Sequence, residues 1–180
     1  MIVPLAPQTV LPLAAAAGAM GWAAISDIRH YIIPNRTVAA IAVAYAVFAC
    51  SMPSSFAIGG AVAAMIVFAV ATMFFARGWM GGGDAKLITV TALWAGAPFL
   101  SAFTTVTCLS GALLAVLMLT PVRRLMPAPS ADAVSLAGGL APDGPVNDGT
   151  GGGLRQPMPF GVPIAIGGLF VLALYLSQPR

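Results

Sequence analysis

Residues 56–76 of the chain read FAIGGAVAAMIVFAVATMFFA, and residues 77–87 continue directly as RGWMGGGDAKL. The first segment is uncharged throughout and, at about 20 residues, is long enough to cross a bilayer as a helix. The second segment contains a run of three glycines, two cations and one aspartate. These two segments therefore predict a membrane-spanning helix that ends at a glycine-rich loop with one aspartate.

The composition of the whole chain agrees with this segment. Of its 180 residues 59% are hydrophobic and only 7% are charged, and the mean hydropathy is +0.96. A soluble domain carries about 25% charged residues, so this chain has too few to cover its own surface. We therefore predict an all-α integral membrane protein that forms one domain over residues 1–180.

Other apolar runs predict about six transmembrane helices. They cover roughly residues 8–26, 36–51, 56–76, 85–95, 99–120 and 161–176. Gly96-Ala97-Pro98 divides the long apolar stretch after Asp84 into a short helix and a full one. Residues 121–159 are rich in Pro, Gly, Ala and Ser, which predicts a flexible loop.

The positive charges predict how these helices are oriented. Seven of the eight Lys and Arg residues lie in the three loops on one side of the predicted bundle, and one lies on the side of the two termini. The seven lie in loops 27–36, 77–86 and 121–159, and the remaining one is at the C-terminus (Arg29, Arg36, Arg77, Lys86, Arg123, Arg124 and Arg155, against Arg180). Since cytoplasmic loops carry the excess of positive charge, we expect those three loops in the cytoplasm and both termini on the non-cytoplasmic side.

Acidic residues give the sharpest functional signal. The chain has no Glu, and Asp27 and Asp84 are the only acids before Asp132. On the predicted topology Asp27 ends the first helix and Asp84 begins the fourth, so both lie at the cytoplasmic membrane edge. A carboxylate at such a place is costly and usually functional. Taken singly, Asp84 could instead be a helix N-cap and Asp27 a partner for Arg29 or Arg36.

The residue inventory excludes several hydrolytic mechanisms. A metalloprotease of the HExxH type needs a Glu and two His, whereas His30 is the only histidine. Ser110 and Cys108 lie too deep in the predicted bilayer to meet His30, and we interpret Cys50 and Cys108 as small packing residues that form no disulfide. Two aspartates remain, which would share one proton and activate water together. From helix dipoles we expect Asp84 as the anion and Asp27 as the proton carrier.

The two aspartates also carry a family resemblance. SDIRHYIIPN (residues 26–35) followed by GGGDAKL (residues 81–87) resembles the paired signature of type IV prepilin peptidases, and PMPFGVP (residues 157–163) resembles their entry to the last helix. The resemblance implies that Asp27 and Asp84 are the catalytic pair of an aspartic membrane protease with a Gly-x-Gly-Asp motif. Such enzymes remove a short basic leader from prepilins or pseudopilins at the cytoplasmic face of the bacterial inner membrane.

Departures from the family pattern refine this expectation. The chain begins directly with its first apolar run and has no CxxC pairs, so it resembles the short form associated with tight-adherence (Flp-type) pili, and N-methylation is not expected. We expect no cofactor, no metal and no nucleic acid partner; the expected partners are prepilins and the lipid bilayer. Two alternatives remain open: a small transporter or ion pathway with the aspartates as a proton or cation relay, and a non-catalytic assembly scaffold. Lys86 could tune the aspartates or anchor the helix. Glycines permit unusual backbone angles and close approach, so we interpret the glycines of residues 81–83 as room for a substrate backbone.

Overall fold

The structure, a computed structural model, describes residues 7–120 and 158–177, with side chains from residue 9 onward. These residues form helices, and the described part contains no strand. In chain order the helices are α1 (Pro7–His30), α2 (Asn35–Cys50), α3 (Ser54–Ala76), α4 (Gly82–Met118) and α5 (Gly161–Ser177). The all-helical prediction is confirmed, whereas the proposed loop 121–159 lies outside the described residues except at its last two positions.

Helix α1 runs further than the hydropathy predicted, because its last turn is polar. It continues to His30, and the basic residues Arg29 and His30 occupy its last turn, where the positive charge of Arg29 interacts favourably with the negative end of the helix dipole. The helix then stops at Tyr31, whose φ of 54° is left-handed. Asp27 consequently lies within α1, about one turn before its end, rather than closing it.

Helix α4 is broken at the predicted place. Gly96 adopts φ 53° and ψ −172°, a combination that is open essentially to glycine alone, and Pro98 follows without a backbone N–H. The break separates a short piece, residues 82–95, from a long one, residues 97–118. A carbonyl beside the break is used by another helix: the hydroxyl of Tyr175 on α5 donates to the backbone oxygen of Trp94 over 2.8 Å.

The helices pack through small residues and expose large apolar ones, as helices in lipid do. Alanines at 16, 23, 63, 92 and 95 are buried between helices, whereas Met65, Phe68, Leu109 and Leu113 are exposed. Among the described residues, α1, α3 and α4 are long and apolar enough to cross a membrane, and α2 and α5 are shorter apolar helices. The described helices are consistent with a membrane protein. Six membrane spans, with both termini on the non-cytoplasmic side, remain a prediction.

The last helix, α5, packs between α1 and α4 and contacts both. Helix α5 packs along α4 and also contacts α1, while α3 packs on α4 and α2 on α1. The core side chains include Met20 of α1, Phe48 of α2, Trp94 and Phe103 of α4 and Ile164 of α5. This arrangement determines which helix ends meet at the candidate site.

Candidate active site

Five helix ends meet at one end of the bundle. They are the C-terminal ends of α1 and α3 and the N-terminal ends of α2, α4 and α5. The ammonium group of Lys86 on α4 donates to Oδ1 of Asn35 on α2 over 3.3 Å. At the first residue of α4, a methyl group built on Gly82 would lie 3.2 Å from Cε2 of Phe75 in the last turn of α3. Both predicted aspartates lie at this junction.

Asp27 is buried at the junction, with 4% of its surface exposed. Its Oδ2 accepts a hydrogen bond of 2.7 Å from the backbone N–H of Gly161, the first residue of α5. The carboxylate also interacts with the backbone N–H of Val162, the second residue of that helix. The described partners of Asp27 are thus backbone donors of a distant helix, and the proposed pairing with Arg29 or Arg36 is not what holds it.

Asp84 occupies the first turn of α4 and is half-buried. Gly81 is the N-cap residue of this helix, so Asp84 is the third residue after the cap and not the cap itself, as the simpler interpretation supposed. Its carboxylate reaches back and interacts with the backbone N–H of Gly81. This is the reciprocal half of a capping box, and it holds the side chain near the helix entrance.

The two carboxylates are near enough to interact electrostatically. A hydrogen bond from the α5 N-terminus to Asp27 alters the earlier argument from helix dipoles, which considered only α1 and α4. Each aspartate now faces the positive end of a helix, Asp27 that of α5 and Asp84 that of α4. Helix dipoles therefore favour neither carboxylate as the anion, and the pair is best treated as one titrating unit.

The triple glycine lacks the unusual backbone angles that we predicted for it. We expected these residues to provide unusual backbone angles and room for a substrate, yet the left-handed glycines of the described chain are Gly78 and Gly96. At each of these glycines, the position that a Cβ would occupy lies close to another side chain of the protein. A methyl group would lie 3.2 Å from Oδ2 of Asp84 if built on Gly81, and 3.3 Å from Cβ of Ile33 if built on Gly83. These glycines allow close approach of the candidate site's own side chains.

The other residues considered from the sequence lie outside this pair. His30 is exposed, and the hydroxyl of Ser26 donates to the backbone oxygen of Ile32 over 2.8 Å, which braces the turn after α1. Cys50 and Cys108 are free thiols on the exposed surface, so their interpretation as small packing residues is wrong. In the described ranges, no group of three or more His, Cys, Asp or Glu side chains could hold a metal ion.

Two residues were missed as parts of the junction, Gly161 and Ile33. A methyl group on Gly161 would lie 2.9 Å from Oδ2 of Asp27 and 3.0 Å from Cδ1 of Ile33. Gly161 is separated from Asp27 by 134 positions, and no local pattern reports such a contact. The available signal was that both residues belong to the segments SDIRHYIIPN and PMPFGVP, which had been singled out for resemblance alone.

Comparison with known proteins gave one family match. The sequence model of the type IV leader peptidase family matches residues 14–116, more than half of the chain, and this range includes both Asp27 and Asp84. No curated protein and no solved structure matches the chain. On the strength of the family match, this chain belongs to the type IV leader peptidase family.

Proposed function

We propose that this protein is an aspartic endopeptidase that removes the short basic leader from prepilins or pseudopilins, with Asp27 and Asp84 as its catalytic residues. Membership of the type IV leader peptidase family supports a peptidase. The observation that supports the aspartic mechanism is that Asp27 and Asp84 lie at the same end of the bundle, near enough to interact electrostatically. These two carboxylates are also the only acids of the matched range.

The proposed reaction needs one proton on the pair and one water between the two carboxylates. The ionised aspartate takes a proton from the water as its oxygen attacks the scissile carbonyl carbon, and the protonated aspartate donates a hydrogen bond to the carbonyl oxygen. The C–N bond of the tetrahedral intermediate then breaks, and the departing nitrogen receives the proton taken from the water. Two carboxylates close together share a proton readily, because both cannot be ionised at low cost.

The position of the substrate follows from the charges around the pair. We propose that the site faces the cytoplasm of a bacterial inner membrane. Arg29, Arg36, Arg77 and Lys86 all lie on the helix ends at this junction, and positive charge of this kind favours the cytoplasmic side. A prepilin would present its leader from the cytoplasm and leave its hydrophobic segment in the bilayer. Active alkaline phosphatase fused after residue 180 would support an outward C-terminus, and an inactive fusion would argue against it.

The alternative of an ion pathway receives less support from the geometry. Relay carboxylates of transporters usually lie near the bilayer midplane, whereas Asp27 and Asp84 lie where five helix ends meet. We further propose the short, Flp-type subclass without methylation, because the sequence contains no CxxC pair.

Co-expression with an Flp-type prepilin tests the proposal. The precursor should carry a basic leader that ends in glycine before a hydrophobic segment, and leader removal is scored by gel mobility. Mass spectrometry of the mature N-terminus shows whether a methyl group has been added. We expect cleavage after the glycine and an unmethylated terminus. An intact precursor beside a well-expressed membrane protein would contradict the peptidase proposal.

A further inference from the structure

Ile33 contacts the structures that hold both aspartates. Its side chain is buried, and it lies against the N-terminal turns of two different helices. On the α4 side its Cβ is the nearest neighbour of a methyl group built on Gly83, the residue before Asp84. On the α5 side its Cδ1 lies 3.0 Å from a methyl group built on Gly161, whose N–H bonds Asp27.

The contacts form a continuous line from one carboxylate to the other. Asp27 accepts a hydrogen bond from Gly161, and Gly161 lies against Ile33. Ile33 in turn lies against Gly83, which precedes Asp84 in the chain. Neither glycine leaves room for a side chain of its own beside Ile33. This one aliphatic side chain therefore contacts the N-terminal turns of both α4 and α5.

The turn that carries Ile33 is itself well held. The backbone N–H of Tyr31 donates to the carbonyl oxygen of Asp27 over 2.9 Å, and Ser26 bonds the carbonyl of Ile32. Pro34 follows Ile33 directly and is the N-cap residue of α2, with φ −65° and ψ 134°. Proline fixes its own φ and restricts the residue before it to extended angles. Ile33 is thus presented at a fixed place between two helix ends.

From this geometry we infer that Ile33 is a positioning residue: it separates the N-termini of α4 and α5 and thereby sets the spacing and orientation of Asp27 and Asp84. The inference rests on the proposed peptidase function, because spacing matters to the rate only if the two aspartates react together. Ile33 itself takes no part in proton transfer. Its loss should therefore affect the chemical step more than substrate binding.

The test compares truncations of two buried isoleucines, one at the junction and one away from it. Ile33→Ala and Ile33→Val are measured beside Ile41→Ala, since Ile41 is buried in α2 and is not part of the candidate site. For each purified protein, kcat and KM for leader removal from a prepilin are determined together with the thermal unfolding midpoint. The wild type and Asp84→Asn establish that the cleavage measured is that of the aspartate pair.

We expect Ile33→Ala to lower kcat about 10- to 100-fold, because misplacement by 1 Å can cost about 100-fold, while KM changes less than about twofold. Ile33→Val removes only the Cδ1 that faces Gly161 and keeps the branched carbons, so its kcat should fall measurably but less than that of Ile33→Ala. Ile41→Ala should lower the unfolding midpoint to a similar extent but leave kcat near the wild-type value.

Equal kcat losses in Ile33→Ala and Ile41→Ala would overturn the inference while leaving the proposed function intact, and so would a change confined to KM. If Ile33→Ala does not fold, Ile33→Val decides: a measurable fall in its kcat at unchanged KM supports the inference, and an unchanged kcat overturns it. A wild-type protein that leaves the leader in place would overturn the proposed function, and this inference with it.

Discussion

Replacing Gly161 by alanine adds one methyl group at the contact between α5 and Asp27. The new carbon would lie 2.9 Å from Oδ2 of Asp27, whereas ordinary contacts begin at about 3.4 Å. Either the start of α5 or the Asp27 carboxylate must therefore retreat by about 0.5 Å, a displacement comparable to the tolerance of a catalytic arrangement. The same shift would stretch the 2.7 Å hydrogen bond from the Gly161 N–H.

The size of the effect follows from that hydrogen bond. A hydrogen bond to a charged group contributes about 1.5–3 kcal/mol, so its loss corresponds to roughly a 10- to 100-fold change. We expect Gly161→Ala to lower kcat within that range and to change KM little. Stability should change less than activity, because alanine is favoured over glycine in a helix by about 1 kcal/mol, which offsets part of the steric cost.

The assay is the initial rate of leader removal by purified protein, with the unfolding midpoint recorded in parallel. Gly21→Ala is the matched control, because this glycine lies in the same helix as Asp27 and a methyl group there would meet nothing within 4 Å. The control should cleave at the wild-type rate. A folded Gly161→Ala protein that cleaves as fast as Gly21→Ala would refute the proposed role of the α5 N-terminus.

Three further predictions concern the rest of the chain. The rate of cleavage should fall at both low and high pH, because the aspartate pair needs one proton and one charge. The rate is measured from about pH 3 to about pH 10, a range that includes the pKa values of carboxyl pairs. A rate that only rises or only falls across this range would contradict the prediction. Lys86→Met should reduce kcat by less than about tenfold, because the contact of its ammonium with Asn35 is exposed and water screens such surface charge interactions to about 1 kcal/mol or less; a loss of about 100-fold or more would instead assign it a role in the chemistry. Gly96→Ala should lower the free energy of unfolding by about 1–3 kcal/mol through its left-handed backbone, as followed by thermal unfolding, whereas Gly59→Ala, with open space around it, should not.

Local patterns predicted the features of the fold that depend on local sequence. The apolar runs located all the described helices, and Gly96 followed by Pro98 marked the break in α4 because both residues oppose a continuous helix. The end of α1 was placed too early, since hydropathy reports burial and not hydrogen bonding, and the polar turn up to His30 is helical.

The contacts of the candidate site were less predictable, because they join distant segments. Asp27 and Asp84 were identified from the rarity of acids in the chain, without knowledge of any contact. The donor to Asp27, Gly161, lies beyond a long segment of different composition, and its role emerges only when α5 packs against α1. The sequence did not reveal the side chains that approach the triple glycine from other segments, Phe75 beside Gly82 and Ile33 beside Gly83.

The most direct test of the aspartic mechanism is leader removal by purified Asp27→Asn and Asp84→Asn proteins under single-turnover conditions. Asparagine preserves the size of each side chain but can neither take up nor release the proton that the reaction needs. Asp143→Asn, the same exchange outside the family match, serves as the control and should cleave at the wild-type rate. We expect each of the other two variants to lose at least about 100-fold in rate, as for a removed general acid or base. If either folded variant cleaves at the wild-type rate, the two-aspartate mechanism is wrong.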